Sequence, residues 1–167
     1  FDSIGSGVST GVREGELSDA EVSGIGVVAG WISSQPWSNG QVALMGLSYS
    51  ADAADLGTTI DAPSIKASVV RFAENDPYRH LFFPGGVANT MMRDLWGSAV
   101  AGNDRSVACS ANAEACKDDH HIAPVDGDDT YDAARSALKD HVKNARLDVD
   151  LKGVTFWDDS LPGRPHM

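Results

Sequence analysis

The chain has 167 residues, 42 % of them hydrophobic and 22 % charged, which is the usage of one globular domain rather than of a disordered or fibrous polypeptide. Acidic side chains outnumber basic ones 24 to 13, and a net charge of −11 repels phosphate backbones and anionic lipid, so nucleic acid is not expected as a partner. No apolar run approaches the roughly 20 residues of a spanning helix, so membrane insertion is not expected either.

Residues 1–11, FDSIGSGVSTG, read as a tight glycine- and serine-rich loop, and Phe1-Asp2-Ser3 reads as the start of a processed or cut chain. Ser18 with Glu21 three positions on forms a capping box, and Val22, Ile25, Ala29 and Ile32 recur at helical spacing behind it. Gly24, Gly26 and Gly30 weaken that helix, and Pro36 stops it just before the Asn39-Gly40 turn. Gln41–Met45 has the run of a buried strand, about Ala51–Thr58 a second helix, and Ile65–Val70 a second strand. Strand, glycine turn, helix and strand make a βαβ unit of a parallel sheet. Past Arg71 the chain turns irregular, with a helix expected over Met91–Val100. An acidic loop spans Asp118–Thr130, and a further helix presents Tyr131, Ala134, Leu138 and Val142 on one face.

Gly46-Leu47-Ser48-Tyr49-Ser50 falls between the first expected strand and its helix, the context of a nucleophile elbow. There the Ser48 hydroxyl would be lifted from the sheet, and the Tyr49 N–H would point to a developing oxyanion. Ser50 and Ala51 stand where the GxSxG pattern has glycine.

The stretches DSIGSGVSTG, WISSQPWSNGQVALMGLSYS, PSIKASVV, NDPYRHLFFPGGVAN and HVKNARLDVDLKGVTFWDDS occur in this order along almost the whole chain. They resemble the cocaine-esterase and X-prolyl dipeptidyl-peptidase family of serine hydrolases. That resemblance implies an α/β fold: an α/β-hydrolase core fragment in residues 1–72, interrupted by a mainly helical cap in residues 73–167. It also implies Ser48 as nucleophile and Tyr49 as oxyanion donor, with Phe83 and Trp96 moved toward the substrate by their place in the cap-entry segment. The family's acid, histidine and second oxyanion donor fall outside these 167 residues. The chain is therefore expected to hold the nucleophile without the base, and its sheet to be incomplete on its own. Other chains or segments of the same precursor would supply the rest, around a small ester or peptide substrate and with no cofactor or metal. Ile4 stands at the family's loop arginine, Ala51 at its last elbow glycine, and Gly24 and Gly30 where acidic residues are common. A non-catalytic subunit that kept the fold, and an acyltransferase using the same serine, are the rival readings.

The five histidines have blander roles than general base. His80 reads as a packing or substrate-facing residue, His120-His121 as solvated, and His141 as a satisfied structural residue, while His166 lies too near the terminus to place. Asp126-Gly127-Asp128-Asp129 lacks the downstream glutamate of a calcium loop and reads as an acidic cap for the next helix. Cys109 and Cys116 are seven positions apart; a disulfide between them would place the protein in a secreted or periplasmic compartment, and two unpaired thiols in a cytosolic protein are the alternative.

Overall fold

The structure is a computed structural model that describes residues 1–74, 76–111, 126–130, 132–156 and 158–160, with 105–111 described as helical backbone alone. Cys116, His120, His121, Tyr131, Trp157 and His166 lie outside the described residues, as does the Cys109 side chain, and the disulfide expectation with them.

The described chain divides into two compact units. One is Leu17–Leu81. The other joins Phe1–Glu16 to the described residues from Phe82 onward.

In the first unit, helix α1 (Asp19–Ser33) begins at Ser18, which is fully buried and whose hydroxyl accepts from the Glu21 N–H at 3.3 Å. Asp19 and Glu21 place negative charge against the positive end of the helix dipole. Strand β1 (Val42–Leu47), helix α2 (Tyr49–Leu56) and strand β2 (Ile65–Arg71) follow, and the strands pair in parallel from Val42–Ile65 to Leu47–Arg71. The register slips by one residue between Val42 and Ala43. This is the βαβ unit expected from the sequence, a partial α/β fold with a two-stranded sheet among the described residues. Helix α2 starts at Tyr49, two residues before its expected start.

The expectation of a buried strand needs correction. Along β1 the residues alternate, with Val42, Leu44 and Gly46 partly covered and Ala43, Met45 and Leu47 exposed. Leu44 and Ile25 pack against Gly57 at the end of α2. Met45 and Val69 are more than half exposed, whereas a parallel sheet ordinarily has both faces covered.

In the second unit, α3 (Thr90–Ala111) packs against α4 (Asp132–His141) and the single turn α5 (Leu147–Asp150). Gly97 makes the α3–α5 approach possible: a Cβ there would lie 2.5 Å from the Asp148 backbone nitrogen. Asp128 caps α4, accepting from the N–H groups of Asp132 at 2.7 Å and Ala133 at 3.0 Å. The covered residues of α4 are Ala134, Ala137 and His141; Val142 lies past the helix end and is exposed, so it leaves the face expected of it.

The segment 1–16 has no regular structure and is held by long-range hydrogen bonds. Asn144 accepts from the Arg13 N–H at 2.7 Å and donates to the Gly5 carbonyl at 2.8 Å. Asp140 accepts from the Gly11 N–H at 2.8 Å. Ile4 packs over Gly11.

Candidate active site

The turn between β1 and α2 carries a strained backbone. Ser48 has φ +57° and ψ −132°, a region that side-chain-bearing residues rarely adopt. Three hydrogen bonds hold it there. The Ser48 N–H donates to the Arg71 carbonyl at the end of β2 (3.1 Å), while the Ser48 carbonyl accepts from Ala51 (2.6 Å) and Asp52 (3.1 Å). Gly46 is required for so sharp a reversal, since a Cβ on it would sit 1.9 Å from the Ser50 carbonyl oxygen. Ala51 is fully buried in the first turn of α2 and carries no positive φ, so this turn accommodates its methyl group without glycine. The Ser48 residue itself is exposed.

Tyr49 opens α2, and its phenol turns back onto α1. The hydroxyl donates to the buried Glu21 carboxylate, 3.0 Å from Oε1 and 2.9 Å from Oε2, and accepts from the Leu17 N–H at 3.2 Å. Leu17 is itself at φ +52°, and its N–H also reaches Glu21 Oε2 at 3.0 Å. The capping box signalled Glu21 in the sequence. It did not signal that the carboxylate reaches the residue before the cap, nor a tyrosine 28 positions away.

Two carboxylates, Asp52 and Glu74, meet beside the turn. Asp52, four residues after Ser48, accepts from the Glu74 N–H at 2.7 Å. Burial, followed by the charge of Asp52, raises the Glu74 carboxyl above its usual pKa, and His80 opposes the rise.

Phe83 and Trp96 belong to the other unit, Phe83 buried and Trp96 half-buried on α3. His80 is exposed in the turn of π-helix Tyr78–Phe82. His141 is buried, with Nε2 2.9 Å from the Ser9 carbonyl oxygen. Trp31 and Trp37 are both exposed and meet edge to face, with centroids 6.2 Å apart. Among the described residues no group of three or more His, Cys, Asp and Glu side chains is arranged to hold a metal ion.

Residues 1–159 match the X-Pro dipeptidyl-peptidase (S15 family). The chain belongs to that family. Two curated relatives, from Mycobacterium bovis and Mycobacterium tuberculosis and each bearing the name "Putative serine esterase", are 30 % identical to it over 163 residues. The match takes in 97 % of this chain and 26 % of each relative, so this S15-family chain spans about a quarter of their length. A CocE/NonD family hydrolase from Staphylococcus aureus is similar in structure, with a TM-score of 0.57 and 30 % identity over 60 % of this chain and 18 % of that one. The chain is thus a member of a hydrolase family of the esterase and peptidase kind.

Proposed function

We propose that this chain carries the nucleophile of a serine hydrolase that cleaves an ester or amide. The observation that carries the reading is the Ser48 backbone, locked in a high-energy conformation between a strand and a helix, with Gly46 clearing the space beneath it. A serine in such a turn offers its hydroxyl above the sheet edge, and the N-terminal end of α2 favours negative charge beside it.

In this reading a histidine takes the Ser48 proton as Oγ attacks the substrate carbonyl, and the tetrahedral oxyanion is held by the Tyr49 N–H and a second donor. Collapse expels the alcohol or amine, which takes that proton from the histidine, and leaves an acyl-serine; water then attacks it, and the water's proton passes through the histidine to Ser48 Oγ. The histidine, its carboxylate partner and the second donor come from polypeptide outside these 167 residues. That same polypeptide completes the sheet. Two facts support this: the chain spans a quarter of its relatives, and Met45, Leu47, Val69 and Phe72 leave apolar surface open on β1, β2 and just beyond. Residues 1–72 form the catalytic portion, and residues 73–167 form the cap that selects substrate through Phe83 and Trp96.

The test is intact-mass spectrometry of the native protein after exposure to a fluorophosphonate. One phosphonyl adduct on this chain, absent from Ser48→Ala, is the expected result. Ester hydrolysis that survives in Ser48→Ala sinks the assignment, and folded wild-type protein that takes no label points to a non-catalytic subunit.

A further inference from the structure

We propose that Glu21 is a positioning residue for the Ser48–Tyr49 peptide, acting through the Tyr49 phenol. The inference rests on the proposed roles of Ser48 and of the Tyr49 N–H.

Glu21 is 7 % exposed, and both its oxygens lie within hydrogen-bonding reach of Tyr49 Oη, at 3.0 and 2.9 Å. From the opposite side the Leu17 N–H approaches the same phenol oxygen at 3.2 Å. The phenol is therefore held as donor and as acceptor at once. Hydrogen bonds to an ionised acceptor are about twice as strong as neutral ones, and burial keeps water from competing for them.

Tyr49 is the first residue of α2, so fixing its ring fixes the Cα from which the ring and the N–H both project. An oxyanion donor must meet the developing charge at about 2.7–3.1 Å, and a misplacement of about 1 Å costs roughly a hundredfold in rate. The α1 N-terminus does not need this carboxylate for its own cap, because Ser18 already accepts from the Glu21 N–H. Glu21 instead bridges two residues of positive φ, accepting directly from Leu17 and reaching Ser48 through its neighbour Tyr49. Helix α1 thereby supports the turn from behind.

The experiment compares kcat and KM on a p-nitrophenyl ester for the native protein and for Glu21→Gln, Tyr49→Phe, their combination and Ser48→Ala, with a thermal melt of each. Each single variant is expected to lose roughly tenfold or more in kcat with KM within about twofold. The double variant should lose little more than the worse single, since both changes act on the same Glu21–Tyr49 hydrogen bond. Unchanged kcat in folded Tyr49→Phe, well below its melting temperature, overturns the proposal. So does a loss confined to Tm, which marks a merely structural contact. Should Glu21→Gln fail to fold, Tyr49→Phe decides alone, as it removes only the hydroxyl. Activity surviving in Ser48→Ala sinks the nucleophile assignment and this inference together, whereas an inactive Ser48→Ala beside unchanged kcat in Glu21→Gln and Tyr49→Phe sinks the positioning role only.

Discussion

Arg13 and Asp104, 91 positions apart in sequence, form a two-pronged ion pair, with Nη1 to Oδ1 and Nη2 to Oδ2 both at 2.9 Å. Both side chains are almost fully buried. Such a pair adds little over a well-packed apolar one, yet removing one partner strands a charge away from water. Arg13→Met is accordingly expected to destabilise the protein by about 3–5 kcal/mol, read by denaturant unfolding. Asp104→Leu added to it should recover most of that loss. A double variant as unstable as the single one contradicts this account.

Asn144 satisfies two backbone groups of the segment 1–16 with one side chain. Asn144→Ala leaves the Arg13 N–H and the Gly5 carbonyl buried without it, at a cost of about 1–3 kcal/mol. Amide hydrogen exchange should show the loss locally, with Arg13 and its bonded neighbour Ala145 exchanging faster while α2 is unaffected.

Two glycines on the first unit should respond to alanine with opposite sign. Gly46→Ala drives a methyl group into the Ser50–Ala51 peptide and should abolish fluorophosphonate labelling of Ser48. Gly24→Ala meets open space inside α1 and should raise stability by about 0.5–1 kcal/mol in a thermal melt.

The Glu74 carboxyl titrates above its ordinary range because burial and Asp52 disfavour its charge. The folded state then binds more protons than the unfolded one, so stability is greatest below the unfolded value of 4.5 and falls as pH rises through the folded value. Glu74→Gln should flatten this decline across weakly acidic pH and leave the variant more stable than wild type at neutral pH. Urea unfolding at a series of pH values checks the slope; an equal slope in both proteins rules the carboxyl out as its source.

The parts of this architecture that sequence makes visible are those set by neighbouring residues. Ser18 and Glu21 mark the start of α1 because a cap is a local device, and Gly46-Leu47-Ser48 between two apolar runs marks the turn because a sharp reversal needs a small residue just before it. The turn α5 leaves no mark in the sequence, since four residues, Leu147–Asp150, hold too little periodicity. Helical spacing carries on to Val142, past the point where the backbone leaves the helix at His141, so spacing alone sets it on a face it does not join. The pairs Arg13–Asp104 and Glu21–Tyr49 were beyond reach for a different reason: each residue has an adequate local explanation, as a surface cation or a helix cap, and only the tertiary fold brings the partners together.

The bond from the Arg13 N–H to Asn144 spans 131 positions, which sets a timetable for synthesis. At about 5–20 residues per second, Arg13 is made roughly 7 to 26 seconds before its anchor Asn144. In that interval α1, β1, α2 and β2, whose contacts are closer in sequence, are free to form ahead of them. Residues 1–16 are made before their anchor and locked after it, so a ribosome stalled between residues 81 and 144 should leave residues 1–16 open to protease.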